Sequence, residues 1–446
     1  MKLLFCCAEY WPSVGGVQEV IRQIAEQMVK AGHDVTVATS AHSARTAEFH
    51  NGVRIQEFRV EGNLAVGMVG EVDRYRSFVR NFEGDAVLIK AAQQWSFDAL
   101  WPVLDSLKLR KVFIPCGFSG LYEPIYADYF ARMPEILRKF DHLIFYSGKY
   151  RDIDFAKAHG IIDYSIIPNG ANETEFGRVA DGTLRARLGI PPDDFVFLTV
   201  GSPIEGKGHK EVGQAFAQMD AGSRNVALIL NGRSSEPRQR PLLAILGFLL
   251  RPRVWRKGVE FLSREGWQGV WKRLFPRRSP VPEMHLDKTV VKSGDLRAGT
   301  KRVLHVDLPR EDVVSAFLEA DLFVFASKVE YSPLVLFESA AAGTPFVTVP
   351  VGNSGEIVRW SGGGWICPAE VDERGYTNVS PDVLARELEK AVRSPDFLHK
   401  LGEAGHLAWQ ERFTWTTIGR SYERVLRGET VMSPMMSETV EAPARG

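Results

Sequence analysis

The run Phe195-Val-Phe-Leu-Thr-Val-Gly201-Ser-Pro-Ile-Glu-Gly206-Lys207-Gly208 holds the key to the architecture. A continuous apolar segment breaks into a glycine-rich turn, the pattern of a strand buried on both faces that delivers its loop to one edge of a parallel sheet. The same pattern opens the chain. Leu3–Cys7 reads as a buried strand. Val17, Val20, Ile21, Ile24, Ala25, Met28 and Val29 then recur at helical spacing, with Gly32 placed to end that helix. Asp34–Ser40 is the next strand. The rhythm therefore starts twice, at Leu3 and again at Phe195.

Further strands are expected at Val53–Val60, Ala86–Lys90, Val112–Pro115, His142–Tyr146 and Tyr164–Ile167, and after the restart at Val226–Leu230, Val303–Val306, Leu322–Phe325, Pro345–Val349 and Trp365–Cys367. Pro191-Pro192-Asp193-Asp194 stops both helix and sheet and marks the boundary. The expectation is an α/β protein of two tandem, doubly wound, Rossmann-like domains facing a cleft, 1–190 and 191–410. A helix at 411–428 and a tail at 429–446 follow; the tail lacks periodicity and reads as disordered. Each sheet should bind ligand at the carboxyl ends of its strands, so two opposed edges suit a reaction between two substrates.

Across 446 residues, 55 Lys and Arg balance 55 Asp and Glu, which argues against a dedicated nucleic-acid binder. Cys6 and Cys7 are adjacent, Cys116 and Cys367 stand alone, and no pair has metal-ligand spacing. Reduced thiols fit a cytoplasmic protein. The longest apolar stretch, Leu242–Leu250, is far short of the ~20 residues that span a bilayer.

The segment 233–299 breaks the rhythm as an insertion in the second domain. Arg233 to Arg278 carries twelve basic and three acidic residues, interleaved with Trp255, Trp267, Trp271 and the 242–250 run. Two readings stand, with nucleic-acid binding a lesser third. One is an interfacial surface at 240–278 that docks on anionic lipid at the inner face of the cytoplasmic membrane. The other is a basic helical insertion that packs on the body and shows solvent its charges.

Three loops can carry chemistry. Pro12-Ser-Val-Gly15-Gly16 lies between the first strand and first helix, where glycines let backbone approach a ligand and a helix start offers N–H groups to an anion. Gly201–Gly208 is nearly a phosphate-binding G-x-x-x-x-G-K-[ST] loop, but Gly208 replaces the hydroxyl that would hold Mg²⁺. Glu330-Tyr-Ser-Pro-Leu-Val-Leu-Phe-Glu338 reads as a loop glutamate followed by a helix that carries the second glutamate. Ser332 is the expected N-cap, Pro333 the first helical residue and Gly343 the residue past the end.

Together these segments resemble one family. The E-x7-E spacing, the Gly…Lys-Gly loop, the Pro-x-x-Gly-Gly turn and Ala-Gly-His33-Asp-Val are similar to retaining glycosyltransferases of the GT-B fold, family 4 type. Ile167-Pro168-Asn169-Gly170, Val351-Gly352-Asn353-Ser-Gly-Glu356 and Phe413-Thr-Trp415 match further elements of that family in order. The resemblance implies a nucleotide-sugar co-substrate held by the second domain, a glycan or lipid-linked acceptor on the first, and no metal or cofactor. It implies a place in cell-surface polysaccharide or glycolipid assembly. By position, Lys207 and Glu330 would serve the transfer itself, Lys207 on the diphosphate and Glu330 on the donor sugar. Glu338 would hold the ribose. Gly15, Gly16, Gly201, Ser202, Tyr331, Ser332, Pro333 and Leu334 would line the donor. Cys116, Gly117 and Asn169 would lie on the sugar and acceptor side. The last helix would cross back to the first domain.

Two positions depart from the family pattern. Ser202 replaces the usual arginine after Gly201, leaving Arg233 as the candidate for the missing cation. Cys116 stands where a histidine is usual, and a thiol does not reproduce a donating imidazole. These departures keep open an alternative, a GT-B protein retained for binding or scaffolding. A nucleoside-triphosphate hydrolase built on Gly201–Gly208 is a further alternative, which leaves E-x7-E unexplained.

Overall fold

The structure, a computed structural model, describes residues 1–232, 299–429 and 431, and the backbone of Thr289–Val291. Arg233, the 240–278 surface and nearly all of the insertion lie outside the described residues, as does the tail beyond Val431.

Two parallel sheets form. The first runs in the order Tyr164–Ile166, His142–Phe145, Arg110–Ile114, Ala86–Lys90, Lys2–Cys6, Asp34–Ser40, Val53–Phe58, closed by antiparallel Phe49–His50. The second runs Thr289–Val291, Lys301–Val306, Val226–Asn231, Phe195–Val200, Leu322–Phe325, Phe346–Thr348, Gly364–Ile366, with only the first of these antiparallel among the described residues. In both, the strand that starts the unit lies inside the sheet, and the winding reverses beside it. That reversal opens a crevice at the carboxyl ends of Lys2–Cys6 and Ala86–Lys90, and another at those of Phe195–Val200 and Leu322–Phe325.

The two faces of the first sheet explain its unbroken apolar strands. Leu4, Cys6, Val87, Ile89 and Phe113 pack under Phe97, Trp101 and Phe140. Leu3, Phe5, Leu88 and Val112 pack under Ile21, Ile24 and Met28 of the Gly16–Lys30 helix. That second face also receives Trp415, Ile418 and Tyr422 of the Trp415–Leu426 helix, so the end of the described chain belongs to the core of its beginning. Gly419 permits the approach: a Cβ there would lie 2.8 Å from Gln27 Cβ. The chain crosses out at Ile167–Ala171 and back at Phe413–Thr414, and the two passes touch through Ala171 N–H on Phe413 O (3.0 Å).

Two expectations need correction. Val53–Val60 is not one strand. It breaks at Arg59 into Val53–Phe58 and a hairpin, Val60–Asn63 with Gly67–Gly70. Gly62 and Gly70 allow that hairpin, with φ of +87° and +98° and no room for a side chain. The glutamate-bearing helix starts at Leu334, with Pro333 as its cap residue, so the Ser332 hydroxyl caps nothing and lies buried without a partner among the described residues. Gly343 follows the helix at φ +69°, as expected. Among the described residues no helix is long and apolar enough to cross a membrane.

Candidate active site

The Gly201–Gly208 loop and the Ala326–Tyr331 loop leave adjacent strands at the reversal of the second sheet. They interlock. Gly208 adopts φ +76°, and a Cβ there would fall 2.1 Å from the Ala326 carbonyl oxygen. Lys328 N–H donates to Gly206 O at 2.9 Å. Glycine is therefore required at this position by packing, which accounts for the absent hydroxyl of the phosphate-loop pattern. The interlock brings Lys207 onto Glu330 as an ion pair, the ammonium meeting Oε1, with Ser327 Oγ 3.1 Å from the same oxygen. Both side chains keep part of their surface open (32% and 18%), so a ligand can reach them.

Beyond them, the Leu334–Ala341 helix points its start at the first domain. Leu334 Cδ1 stands 3.8 Å from where a Cβ on Gly16 would be. The Gly15–Gly16 turn and the helix start thus face each other closely, and unpaired N–H groups of a first helical turn favour an anion there. Asn169 also joins the two halves: its Nδ2 donates to Ser332 O (3.0 Å), while Oδ1 is buried and unpaired among the described residues.

Glu338 is buried one turn into the helix and is not open. Arg310, the first residue of the Arg310–Glu319 helix, bonds it at 2.7 Å and bonds Glu175 at 2.6 Å. Burial works against the charge of Arg310, but Glu338 and Glu175 hold its guanidinium protonated well above the ordinary range. Glu338, Arg310, Glu175 and Glu19 border a crevice of about 10 Å³, room for roughly one water.

The Tyr331 side chain stacks on Tyr146 (centroids 5.4 Å) and Tyr150 (4.6 Å) of the first domain. Its hydroxyl accepts from Tyr146 N–H at 3.0 Å. Tyr150 OH donates to Glu330 O at 2.7 Å, which fixes the backbone that carries the glutamate. Glu356, within the glycine loop read from sequence, completes the seam: Oε1 accepts Gly148 N–H at 3.0 Å and Oε2 accepts Ser147 Oγ–H.

Cys116 and Gly117 lie under Tyr331. Gly117, at φ +86°, leaves a Cβ no space, with Tyr150 and Tyr331 atoms within 3.0 Å of it. Its N–H donates to Asp152 (2.8 Å), a carboxyl that burial pushes up to about 6. Burial raises the Cys116 thiol, and the nearby Lys90 only partly opposes this, so the sulfur stays protonated and poorly nucleophilic. Lys90 is itself buried, its Nζ 2.7 Å from Tyr146 OH, and burial lowers its pKa.

Of the residues named from sequence, the structure brings Lys207 onto Glu330, Gly16 close to Leu334 and Asn169 onto Ser332, while Glu338 meets Arg310. Arg310, Tyr150 and Asp152 were not named from sequence, and they enter through contacts between distant segments. The signal for Arg310 was slight: a cation directly after Pro309, opening a helix.

Comparison with known proteins places these features in context. The family described as "Glycosyltransferase Family 4" matches residues 14–175, and that described as "Glycosyl transferases group 1" matches residues 295–407. The two matches together cover more than half of the chain. A D-inositol 3-phosphate glycosyltransferase of Streptomyces griseus subsp. griseus is 26% identical over 56% of this chain and 43% of its own length. The chain spans less than half the length of the curated relatives it matches. Sucrose-phosphate synthase from Thermosynechococcus elongatus superposes with a TM-score of 0.65 at 17% identity, over 96% of this chain and 98% of that one. Anabaena Alr3699/HepE in complex with UDP-glucose gives 0.64 at 15%, over 96% and 100%. WaaG, a glycosyltransferase involved in lipopolysaccharide biosynthesis, gives 0.60 at 17%, over 96% and 100%.

Proposed function

Because the chain belongs to the GT-B glycosyltransferases of the family 4 type, we propose that it transfers a sugar from a nucleotide-sugar donor to a glycan or lipid-linked acceptor. One observation carries this most: Lys207 and Glu330, 123 residues apart, meet at the reversal of the second sheet. Nearby, the Leu334 helix start faces the Gly15–Gly16 turn.

In this reading the donor diphosphate lies between Lys207 and the helix start. Lys207 then trades Glu330 for phosphate oxygens, and cation and helix N-terminus together stabilise the charge that grows on the leaving group. Glu330, released, accepts hydrogen bonds from donor-sugar hydroxyls and sets the ring's orientation. Glu338 holds the ribose once Arg310 moves aside. The departing phosphate takes the acceptor proton on the face it leaves, which retains configuration, and Lys207 with the helix start supplies the neutralisation without a metal. The 240–278 segment would bring the enzyme to an anionic membrane carrying a lipid-linked acceptor of cell-surface glycan assembly.

Calorimetric titration with UDP-, GDP-, ADP- and dTDP-sugars, without added metal, tests the donor site. One donor should bind, and Glu338→Ala and Lys207→Ala should each weaken it at least tenfold. Unchanged affinity in both variants would remove the donor site from this cleft.

A further inference from the structure

We propose that a cavity of about 320 Å³ at the carboxyl edge of the first sheet receives the acceptor, and that it takes an uncharged polyhydroxylated ring, not a phosphorylated one. This rests on the glycosyltransferase reading above and names the substrate class on its other side.

The lining chemistry is selective. Glu9 and Gln18 form one wall, joined by Gln18 Nε2–H on Glu9 Oε2 at 2.7 Å. Gln93, Gln94, Trp95 and Gly62 of the hairpin also line the cavity. Each sugar hydroxyl both donates and accepts, and primary amides beside a carboxylate satisfy both roles. A phosphate dianion instead needs cations to replace its water. Among the described residues that line this cavity none is basic, and Glu9 repels an anion. The volume sits at the lower end of small-ligand sites, about 300 Å³.

The walls are fixed before any ligand arrives. Gln93 N–H donates to Tyr129 OH (2.8 Å), Gln93 O accepts from Asn63 Nδ2 (3.2 Å), and Gln93 Oε1 accepts from Gly120 N–H (3.0 Å). Asp98, buried beneath, accepts from Tyr129 OH (2.7 Å) and from Leu64 N–H of the hairpin (2.9 Å), so one carboxyl positions both sides. Ala91 and Gln93 are held at φ +70° and +63°, left-handed backbone that non-glycine residues adopt at a cost and that clusters at binding sites. Beside this pinned residue, the Gln94 amide has no hydrogen bond to any described residue and is half-buried in the wall. Val17 of the lining directly follows Gly16, which faces Leu334, so the cavity adjoins the side of the cleft where the donor is proposed to lie.

The full chain is titrated by saturation-transfer NMR with methyl gluco-, galacto- and mannopyranosides and with the 6-phosphates of the same methyl glycosides. Nucleotide-sugar affinity is measured separately by calorimetry. At least one neutral glycoside should bind saturably, its phosphorylated counterpart at least tenfold more weakly. Gln94→Ala should weaken the neutral ligand about fivefold, the scale of one hydrogen bond. Gln94→Lys should narrow the preference against phosphate, and both variants should leave donor affinity unchanged. Tighter binding of the phosphates, no saturable neutral glycoside, or indifference of both variants would overturn the proposal. Failure of the unmodified protein to bind any nucleotide-sugar is a different result, and counts against the donor reading instead.

Discussion

Arg310 Nη2 lies 2.7 Å from Glu338 Oε1, so the carboxylate proposed above to hold the donor ribose is covered by a cation from the neighbouring helix. A ribose that reaches Glu338 must displace it, while Glu175 keeps Arg310 nearby. Arg310→Ala should therefore tighten nucleotide binding about fivefold, the equivalent of a partly exposed pair of about 1 kcal/mol. The same change leaves two carboxylates without their counter-ion and should lower the thermal midpoint. Calorimetry and melting on one preparation separate the two effects. Weaker nucleotide binding in Arg310→Ala would mean that the guanidinium contacts the ligand.

Glu330 and Lys207 differ in what they should do. Glu330→Gln keeps the shape and loses the charge, so donor affinity should stay within a few-fold while kcat falls by tenfold or more. Lys207→Ala should instead raise the donor Kd at least tenfold, since a charge-assisted contact to phosphate is lost. Equal effects of both variants on Kd would place Glu330 in binding alone.

Gly208→Ala is expected to be severe. Its φ of +76° and the Ala326 carbonyl in its path leave a methyl no accommodation without separating two loops. A stability loss of about 2 kcal/mol or more, seen in denaturant unfolding, should accompany loss of donor binding.

Asp152 gives a signed pH effect. Its folded pKa, about 6, lies above the ordinary 3.8 because burial disfavours the charge, against opposition from the Gly117 and Ile153 N–H groups and the Tyr331 hydroxyl. The folded state thus holds the proton more tightly, and this group's contribution is full below about pH 4 and lost as pH rises through 6. The melting temperature of the natural chain should fall relative to that of Asp152→Asn as pH rises from about 4 to just above 6. Parallel curves would show an ordinary carboxyl.

Glu356 binds Ser147 and Gly148 across the seam from 209 and 208 residues away. Glu356→Ala should raise amide hydrogen exchange at 147–149 with little change within either sheet. Unaltered exchange there would show that the remaining cross-seam contacts hold residues 147–149 without Glu356.

The sheets were legible because strands buried on both faces leave long apolar runs, and because Phe195 restarts a pattern begun at Leu3. The Val60–Gly70 hairpin was not, since its glycines serve backbone conformation and its exposed strands lack an apolar face. Loop residues such as Lys207 and Glu330 could be named from spacing. Their meeting with Ser327, the capture of Glu338 by Arg310, and the turn of Tyr331 toward Tyr146 depend on which distant segments share a surface. No local window contains that. Ser332 shows the reverse error: a good cap by residue type, but the helix begins one residue later than expected, at Leu334 behind Pro333, and the Ser332 carbonyl accepts from Asn169.

The paired passes at Ala171 and Phe413 have a mechanical consequence. Two tethers in contact at one end of the cleft define an axle, and they resist both twisting and sliding of one half on the other. Any opening of the cleft would therefore hinge at this pair, displacing Lys207 and Gly16 more than Gly170, and would have to break the contacts of Tyr150 with Glu330 and of Glu356 with Ser147 and Gly148.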